Sequence, residues 1–359
     1  MKKEKNACAI KTSIGGQALI EGIMMRGPKM TAMAVRRQSG EIVIDKWETG
    51  KKPYFKPLDP EKVNEEVKQA PAAENEKPGA LSRFVKACTR IPFVRGIFNM
   101  GISLSVGYKC LMRSADVYIE ETPEEKAERE KKEAEGKKTG DPSSFGAIAG
   151  FISGALGILL AVGLFIVLPT FASEWIMRLC SLDPESTSYG IAVLRSAIEG
   201  VMKIVILVAY MFSVSFMKDI RRTFMYHGAE HKTIFCYEAG EELTVENVKK
   251  QTRLHPRCGT SFLVLTVLVS IIVGIFIPTA IPDYLRAIIK LLLLPLTMGI
   301  SYELIKLAGK HDNIVTRIIS APGLLLQKIT TVEPDDGMIE CAILAMKEVI
   351  PSDGSDKIN

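Results

Sequence analysis

Two of the four histidines in this chain lie in "YHGAEHKTIFCYEAG", residues 226–240, four positions apart with a glutamate just before the second. At about 100° per residue, a helix through this stretch places His227, Glu230 and His231 in one sector of its surface. A second short stretch, "LHPRCGTSF", adds His255 and Cys258. Zn²⁺ takes imidazole nitrogen and thiolate sulfur in tetrahedral sites. The chemistry to expect is therefore a divalent metal, Zn²⁺, on His227, His231, His255 and Cys258. His-x-x-Glu-His is also the spacing of the inverted zinc metallopeptidases, in which the glutamate activates water, and this makes Glu230 the candidate catalytic base. Four protein ligands would close the site and make it structural; three would leave a position for water or substrate. The competing reading is plainer: interfacial histidines that bond phosphate or backbone, and an "HPRCG" that caps the following helix.

The ligands lie far apart in sequence, so other elements must bring them together. Of the 359 residues 47% are hydrophobic, and the apolar ones collect in long runs in the second half. That is the profile of a membrane protein with a soluble portion. A bilayer takes about 20 helical residues to cross, and four segments qualify: 145–169, 191–217, 261–282 and 284–307. The connection 218–260 contains Lys218, Arg221, Arg222, Lys232, Lys249, Lys250, Arg253 and Arg257, whereas 170–190 contains only Arg178. Positive loops stay in the cytoplasm, so both termini and the histidine-bearing loop should face inward. The spans flanking that loop are consecutive and antiparallel, which draws its two ends together at one membrane face.

The expected fold class is mainly α: a polytopic membrane helical bundle of about four spans with a small N-terminal cytoplasmic portion that contains a β-hairpin. Residues 12–48 read as β structure, with "TAMAVRR", "QSG" and "EIVIDKWE" forming two alternating runs around a short turn. The chain then divides into 1–50, a cytoplasmic β segment; 51–92, a mobile loop and lead-in; and 93–119, an interfacial or membrane-associated helix. It continues as 120–144, a charged linker; 145–310, the bundle with the His-rich loop 218–260; and 311–359, cytoplasmic amphipathic helices. Within the second span Arg195, Glu199 and Lys203 form a stripe at four-residue spacing. A stripe that pairs with itself or reaches the interface is preferred to a transport path, which needs more buried carboxylates.

Three further positions are candidates for ligand binding or for orienting a ligand. Glu303, in "ISYELIKLAG", falls near the inner end of the fourth span, with pairing to Lys306 or Arg317 as the bland alternative. Glu21 and Arg26 lie in the Gly-rich "IGGQALIEGIMMRGP", which lacks the Gly-Lys-Ser/Thr ending of a phosphate loop. Asp335 and Asp336 suit the first turn of a capped helix. His311 has no role. The seven cysteines form no paired framework and fit a reducing setting, with Cys180 alone outside. The N-terminus lacks a signal peptide's apolar region. The net charge of +5, without a basic patch interleaved with aromatics, argues against nucleic acid.

The blocks "GGQALIEGIMMRGP", "IPFVRGIFNMGISL", "YHGAEHKTIFCYEAG", "LHPRCGTSF", "ISYELIKLAG" and "APGLLLQKITTVEPDD" resemble the YqhQ-like family of bacterial membrane proteins, a domain of unknown function described as predicted metal-dependent enzymes. The blocks run in order from about residue 14 to 349. The resemblance implies a multi-pass protein of the bacterial cytoplasmic (inner) membrane and attaches the metal label to His227, Glu230, His231, His255 and Cys258. No substrate comes with it.

Two functions stay open on this reading. One is a metal-dependent hydrolase at the inner interface, with Glu230 as base and a membrane-anchored peptide or lipid head group as substrate. The other is a non-enzymatic scaffold or assembly factor whose metal staples the loop. The partners are the bilayer and a membrane protein or membrane-anchored substrate, and an oligomer would be compatible with either function.

Overall fold

The computed structural model describes residues 10–55, 88–89, 91–119, 142–310 and 313–358. Most of the expected mobile stretch 51–80, the bulk of the charged linker, Cys8 and His311 lie outside the described residues. The chain divides into two compact units. One comprises 1–119, 211–265 and 298–359, and the other comprises 120–210 and 266–297.

The first unit is built on a four-stranded antiparallel meander in the order β1 (Gly15–Leu19), β2 (Gly22–Arg26), β3 (Met30–Arg36), β4 (Ile42–Glu48). The hairpin read at 31–48 is its second half. The glycine-rich stretch before it supplies the first half, closed by the two-residue turn Ile20–Glu21. Side chains alternate across a strand, and here both faces are covered. Ile23, Met25, Ala32 and Ala34 face one core, packed by α5 (Lys218–Glu238) and α11 (Asp336–Lys347). Leu19, Met24, Met33 and Val35 face another, packed by α1 (Val94–Tyr118) through Cys110 and Val117. Two buried faces explain why "GIMMR" reads as a nearly continuous apolar run rather than clean alternation.

The same packing explains the charges in α1. Arg113 pairs with buried Asp45 of β4 at 3.1 Å, and Arg95 grips Glu303 with both guanidinium arms. Cys110 and Val117 of α1 pack on the sheet, while Leu104 and Tyr108 stay exposed. Asp335 caps α11 by accepting from the Met338 N–H at 2.8 Å, as its position before the apolar run suggested. The chain ends meet where Thr12 bridges Lys357.

The rest is helical: α2 (Pro142–Val162), a π-turn at Gly163–Val167, α3 (Leu168–Leu179), α4 (Tyr189–Val214), α6 (Val245–Lys250), α7 (Gly259–Ile275), α8 (Asp283–Leu292), α9 (Leu294–Lys310) and α10 (Ile314–Thr330). Among the described residues one helix, Ile152–Leu179, is long and apolar enough to cross a membrane. The number rises to three if the bent pairs α4–α5 and α8–α9 each count as a single span. The expectation was about four transmembrane helices; length and apolarity support one to three among the described residues. The segment 261–282 forms a 17-residue helix that stops at Ile275, ahead of Pro278 and Pro282. The segment 284–307 breaks at Leu293 because Pro295 has no N–H to continue the ladder.

Within the second unit the stripe on α4 does pair, and with more partners than its own helix holds. The Glu199 carboxylate lies 2.5 Å from Lys290 and 3.8 Å from Arg286, both on α8, and 3.9 Å from Arg195. Arg195 also pairs with Asp283. Buried charges of this kind persist only where opposite charges and hydrogen bonds meet them. The α8 residues that complete the network were not singled out from sequence because their partners lie about 90 positions away.

Candidate metal site

Helix α5 carries His227 and His231 one turn apart, their ring centroids 4.4 Å from each other. The helix approaches the Val332 backbone closely at Gly228, where a Cβ would sit 2.1 Å from the Val332 oxygen. That approach lets the Thr330 carbonyl reach His227 Nδ1 at 2.9 Å. On the other side the Arg253 carbonyl meets His231 Nδ1 at 2.5 Å. A carbonyl only accepts, so each Nδ1 carries the proton and each Nε2 presents a lone pair.

Both rings lie close to one sulfur. His227 Nε2 lies 3.1 Å from Cys258 Sγ. The ligand atoms of His227, His231 and Cys258 all fall within 4.8 Å of one another. His231 Nε2 is buried and has no hydrogen-bond partner. A single thiol proton can satisfy one imidazole and not two, which leaves an orphaned acceptor in the cluster. A metal ion would satisfy all three atoms, and an imidazole tied through its other nitrogen to a backbone carbonyl is the usual support for a ligand. His227, His231 and Cys258 therefore form a group that could hold a metal.

Electrostatics favour the same use. Burial pushes the Cys258 thiol up, but the facing His231 ring and the Thr260 backbone N–H and hydroxyl, 3.5 and 3.3 Å from the sulfur, bring it below its ordinary value. Burial holds His231 below its ordinary value, neutral and able to bind. The sequence gives some sign of Thr260 in "CGT" at the start of α7, whereas the Thr330 and Arg253 carbonyls leave none.

His255, read as a fourth ligand, is placed differently. Its ring lies 5.5 Å from that of His231, and its Nδ1 accepts from the Arg257 N–H at 3.3 Å. Its Nε2 faces Glu238 at 3.8 Å. Glu238 also pairs with Arg257 and accepts from the Thr12 N–H at 2.8 Å. Although burial opposes it, the contacts with His255, Arg257 and Thr12 lower this carboxyl to about 2. The His255 backbone is clamped from both sides by the Gln327 amide at 2.8 Å. Neither Glu238 nor Gln327 stood out in the sequence.

Glu230 lies outside the three-atom group but lines the same cavity, a space of about 830 Å³. It is 5% exposed and accepts from the Gly16 N–H of β1. Burial raises its carboxyl to about 7, against the opposing influence of His227. Gly16 has to be glycine, since a Cβ there would sit 2.6 Å from the Met24 oxygen and 3.0 Å from the Glu230 carboxyl carbon.

The remaining candidates are placed elsewhere in the first unit. Glu303 is occupied by Arg95 and the Phe93 N–H. Glu21, in the two-residue turn at φ 47°, pairs with Arg222 and lies 3.2 Å from the Tyr226 hydroxyl. Arg26 reaches Ser103 at 3.2 Å. The structure accounts for all three as ties between elements of the fold.

The model for the family described as "Protein of unknown function (DUF1385)" matches residues 91–352. The "Uncharacterized protein YqhQ" of Bacillus subtilis (strain 168) is 33% identical over 343 residues, which is 95% of this chain and 93% of that protein. No solved structure matches the chain. The family match includes all three grouped side chains and their supporting carbonyls, and the bacterial relative runs along almost the full length: the chain belongs to the DUF1385 family.

Proposed function

We propose that this protein is a metal-dependent hydrolase of the bacterial cytoplasmic membrane, with Zn²⁺ held by His227, His231 and Cys258. One observation carries the reading: two imidazoles, each fixed by a backbone carbonyl at Nδ1, lie close to one thiol, and one of their Nε2 lone pairs has no partner. Three protein ligands leave a tetrahedral ion one open position, and the cavity beside the cluster gives access to it. When bound, the ion supplies positive charge that polarises a substrate oxygen and activates water. Glu230 takes the proton of the attacking water on its carboxylate and returns it to the leaving group. A carboxyl near 7 suits both halves of that task.

The membrane placement is part of the proposal. Helices α2–α3, α4, α7 and α8–α9 would cross, with both termini inside. The basic residues of 218–260 support this orientation. Cys258 directly precedes α7, whose 17 residues would span about 26 Å, slightly less than a bilayer core.

The test is metal content and turnover in the same preparation. Purified wild-type protein should carry stoichiometric zinc by elemental analysis, and His227→Ala should lose it. Glu230→Gln should keep the metal while hydrolysis of a panel of fluorogenic esters, phosphodiesters and peptides falls by about 10²- to 10⁴-fold. A zinc-free wild type, or a Glu230→Gln variant as active as wild type, ends the proposal.

A structural metal is the second reading, favoured by the way the site ties α5 to the 253–258 loop and to the end of α10. On that reading Cys258→Ser lowers the melting temperature and Glu230→Gln changes nothing.

A further inference from the structure

Gly15, Gly16, Gln17 and Ala18 form one wall of the cavity beside Glu230. That wall is β1, an edge strand paired only with β2. The two-residue turn Ile20–Glu21 makes Leu19 and Gly22 the closing pair of the hairpin, so Leu19, Gln17 and Gly15 direct their N–H and C=O groups at β2. Gly16, Ala18 and Ile20 therefore direct theirs away from the sheet. Two neighbours confirm the parity. The Gly16 N–H goes to Glu230, and the Ile20 N–H goes to Ser114 Oγ at 3.2 Å. Between them, the Ala18 N–H and the Gly16 and Ala18 carbonyls have no hydrogen-bond partner among the described residues, and both residues line the cavity.

Gly15 and Gly16 are exposed, and nothing lies within 4 Å of the Cβ position at Gly15. Across the space stand Tyr302 and Ile305 of α9, so the rest of the wall is largely apolar. An exposed edge is an invitation to strand pairing, which proteins usually blunt with charge, proline or a cover. Here the free row is left beside the base and the candidate metal group.

We propose that the substrate is an extended polypeptide segment, which adds as a fifth strand to the edge of β1 and presents its scissile peptide bond to Glu230. This rests on the hydrolase reading above and names its substrate class. One donor between two acceptors at alternate residues, the Ala18 N–H and the Gly16 and Ala18 carbonyls, matches a short stretch of peptide main chain, with apolar pockets left over for alternate side chains. A lipid head group or a phosphodiester has no use for such a row. The reaction is amide hydrolysis. The water oxygen bonds to the carbonyl carbon and the C–N bond breaks. Glu230 carries one proton from the water to the departing nitrogen, and the second is released as the new carboxyl group ionises.

The test uses the full-length, zinc-loaded protein and a random decapeptide mixture, with a fluorogenic ester as control. Proline at position 18 removes the free N–H, and an edge strand tolerates proline there because that N–H serves no ladder bond. Ala18→Pro should keep its zinc and its ester hydrolysis and lose about tenfold or more in peptide cleavage, whereas Ala18→Ser should match wild type. An independent measurement does not need the proline variant to fold. Adding peptide to Glu230→Gln should slow hydrogen exchange of the amides in 15–19. Peptide cleavage by Ala18→Pro at the wild-type rate, or no exchange protection in 15–19, overturns the proposal. Ester hydrolysis that depends on zinc and Glu230, with the peptides left intact, overturns the substrate class and leaves the hydrolase reading standing. If neither substrate is cut, both fall.

Discussion

Three histidines in one small volume are held for different purposes, and the difference lies in what touches Nδ1. At 227 and 231 a carbonyl accepts the Nδ1 proton and frees Nε2 for the cluster; at 255 a backbone N–H donates to Nδ1, and Nε2 lies beside Glu238 and the Arg257 guanidinium instead of the cluster. Burial keeps His255 below its ordinary value and so neutral. Glu238 is then a structural carboxylate, and its pKa sets a stability window. The folded value of about 2 lies below the ordinary 4.5, so its contribution is fully present above pH 4.5 and is lost as pH falls from 4.5 towards 2. Thermal melts across that range should show Glu238→Gln less stable than wild type at neutral pH, the gap narrowing as acid protonates the native carboxylate. A constant gap at every pH would show that Glu238 titrates normally.

Among the elements, α5 does the most positioning, and its register against the Thr331–Pro334 segment depends on a missing side chain. A Cβ on Gly228 would meet the Val332 oxygen at 2.1 Å, a backbone atom that cannot step aside as a flexible side chain would. Gly228→Ala should therefore cost about 1–3 kcal/mol, the range for overpacking a tight contact. It should also draw the Thr330 carbonyl away from His227, so zinc affinity by competition with a chelator should fall along with the melting temperature. Unchanged affinity in a destabilised variant would detach the carbonyl from the site. Little of this was legible in the chain. The β3–β4 hairpin was, because a glycine turn between alternating runs is a local signal. The β1–β2 hairpin was blurred by apolar residues on both faces, and no local signal in α1 marks Cys110 and Val117 as the residues that pack on the sheet.

For the chain as a membrane protein, the counts of basic residues and the lengths of the helices answer different questions. Length and apolarity identify Ile152–Leu179 and up to two bent pairs as candidate spans. In the proposed orientation, which rests on the basic residues of 218–260, the connection that contains Cys180 lies outside. Among the described residues Cys180 is the exposed free thiol and the other free cysteines are buried. A membrane-impermeant maleimide applied to intact spheroplasts should therefore label the wild type and leave Cys180→Ala unlabelled. Labelling of any cysteine other than 180 under those conditions would invert the proposed orientation.

From the order of residues alone came the ligand types and the one-turn spacing of His227 and His231, since helix geometry depends only on near neighbours. The choice between His255 and Cys258 did not come that way. It turned on tautomers set by carbonyls 22 and 103 positions away. The free edge of β1 came from the fold as well, because an unpaired strand is defined by what the rest of the chain does not place beside it. Metal chemistry is read from side chains, but the proton on an imidazole and the openness of a strand are properties of the packing.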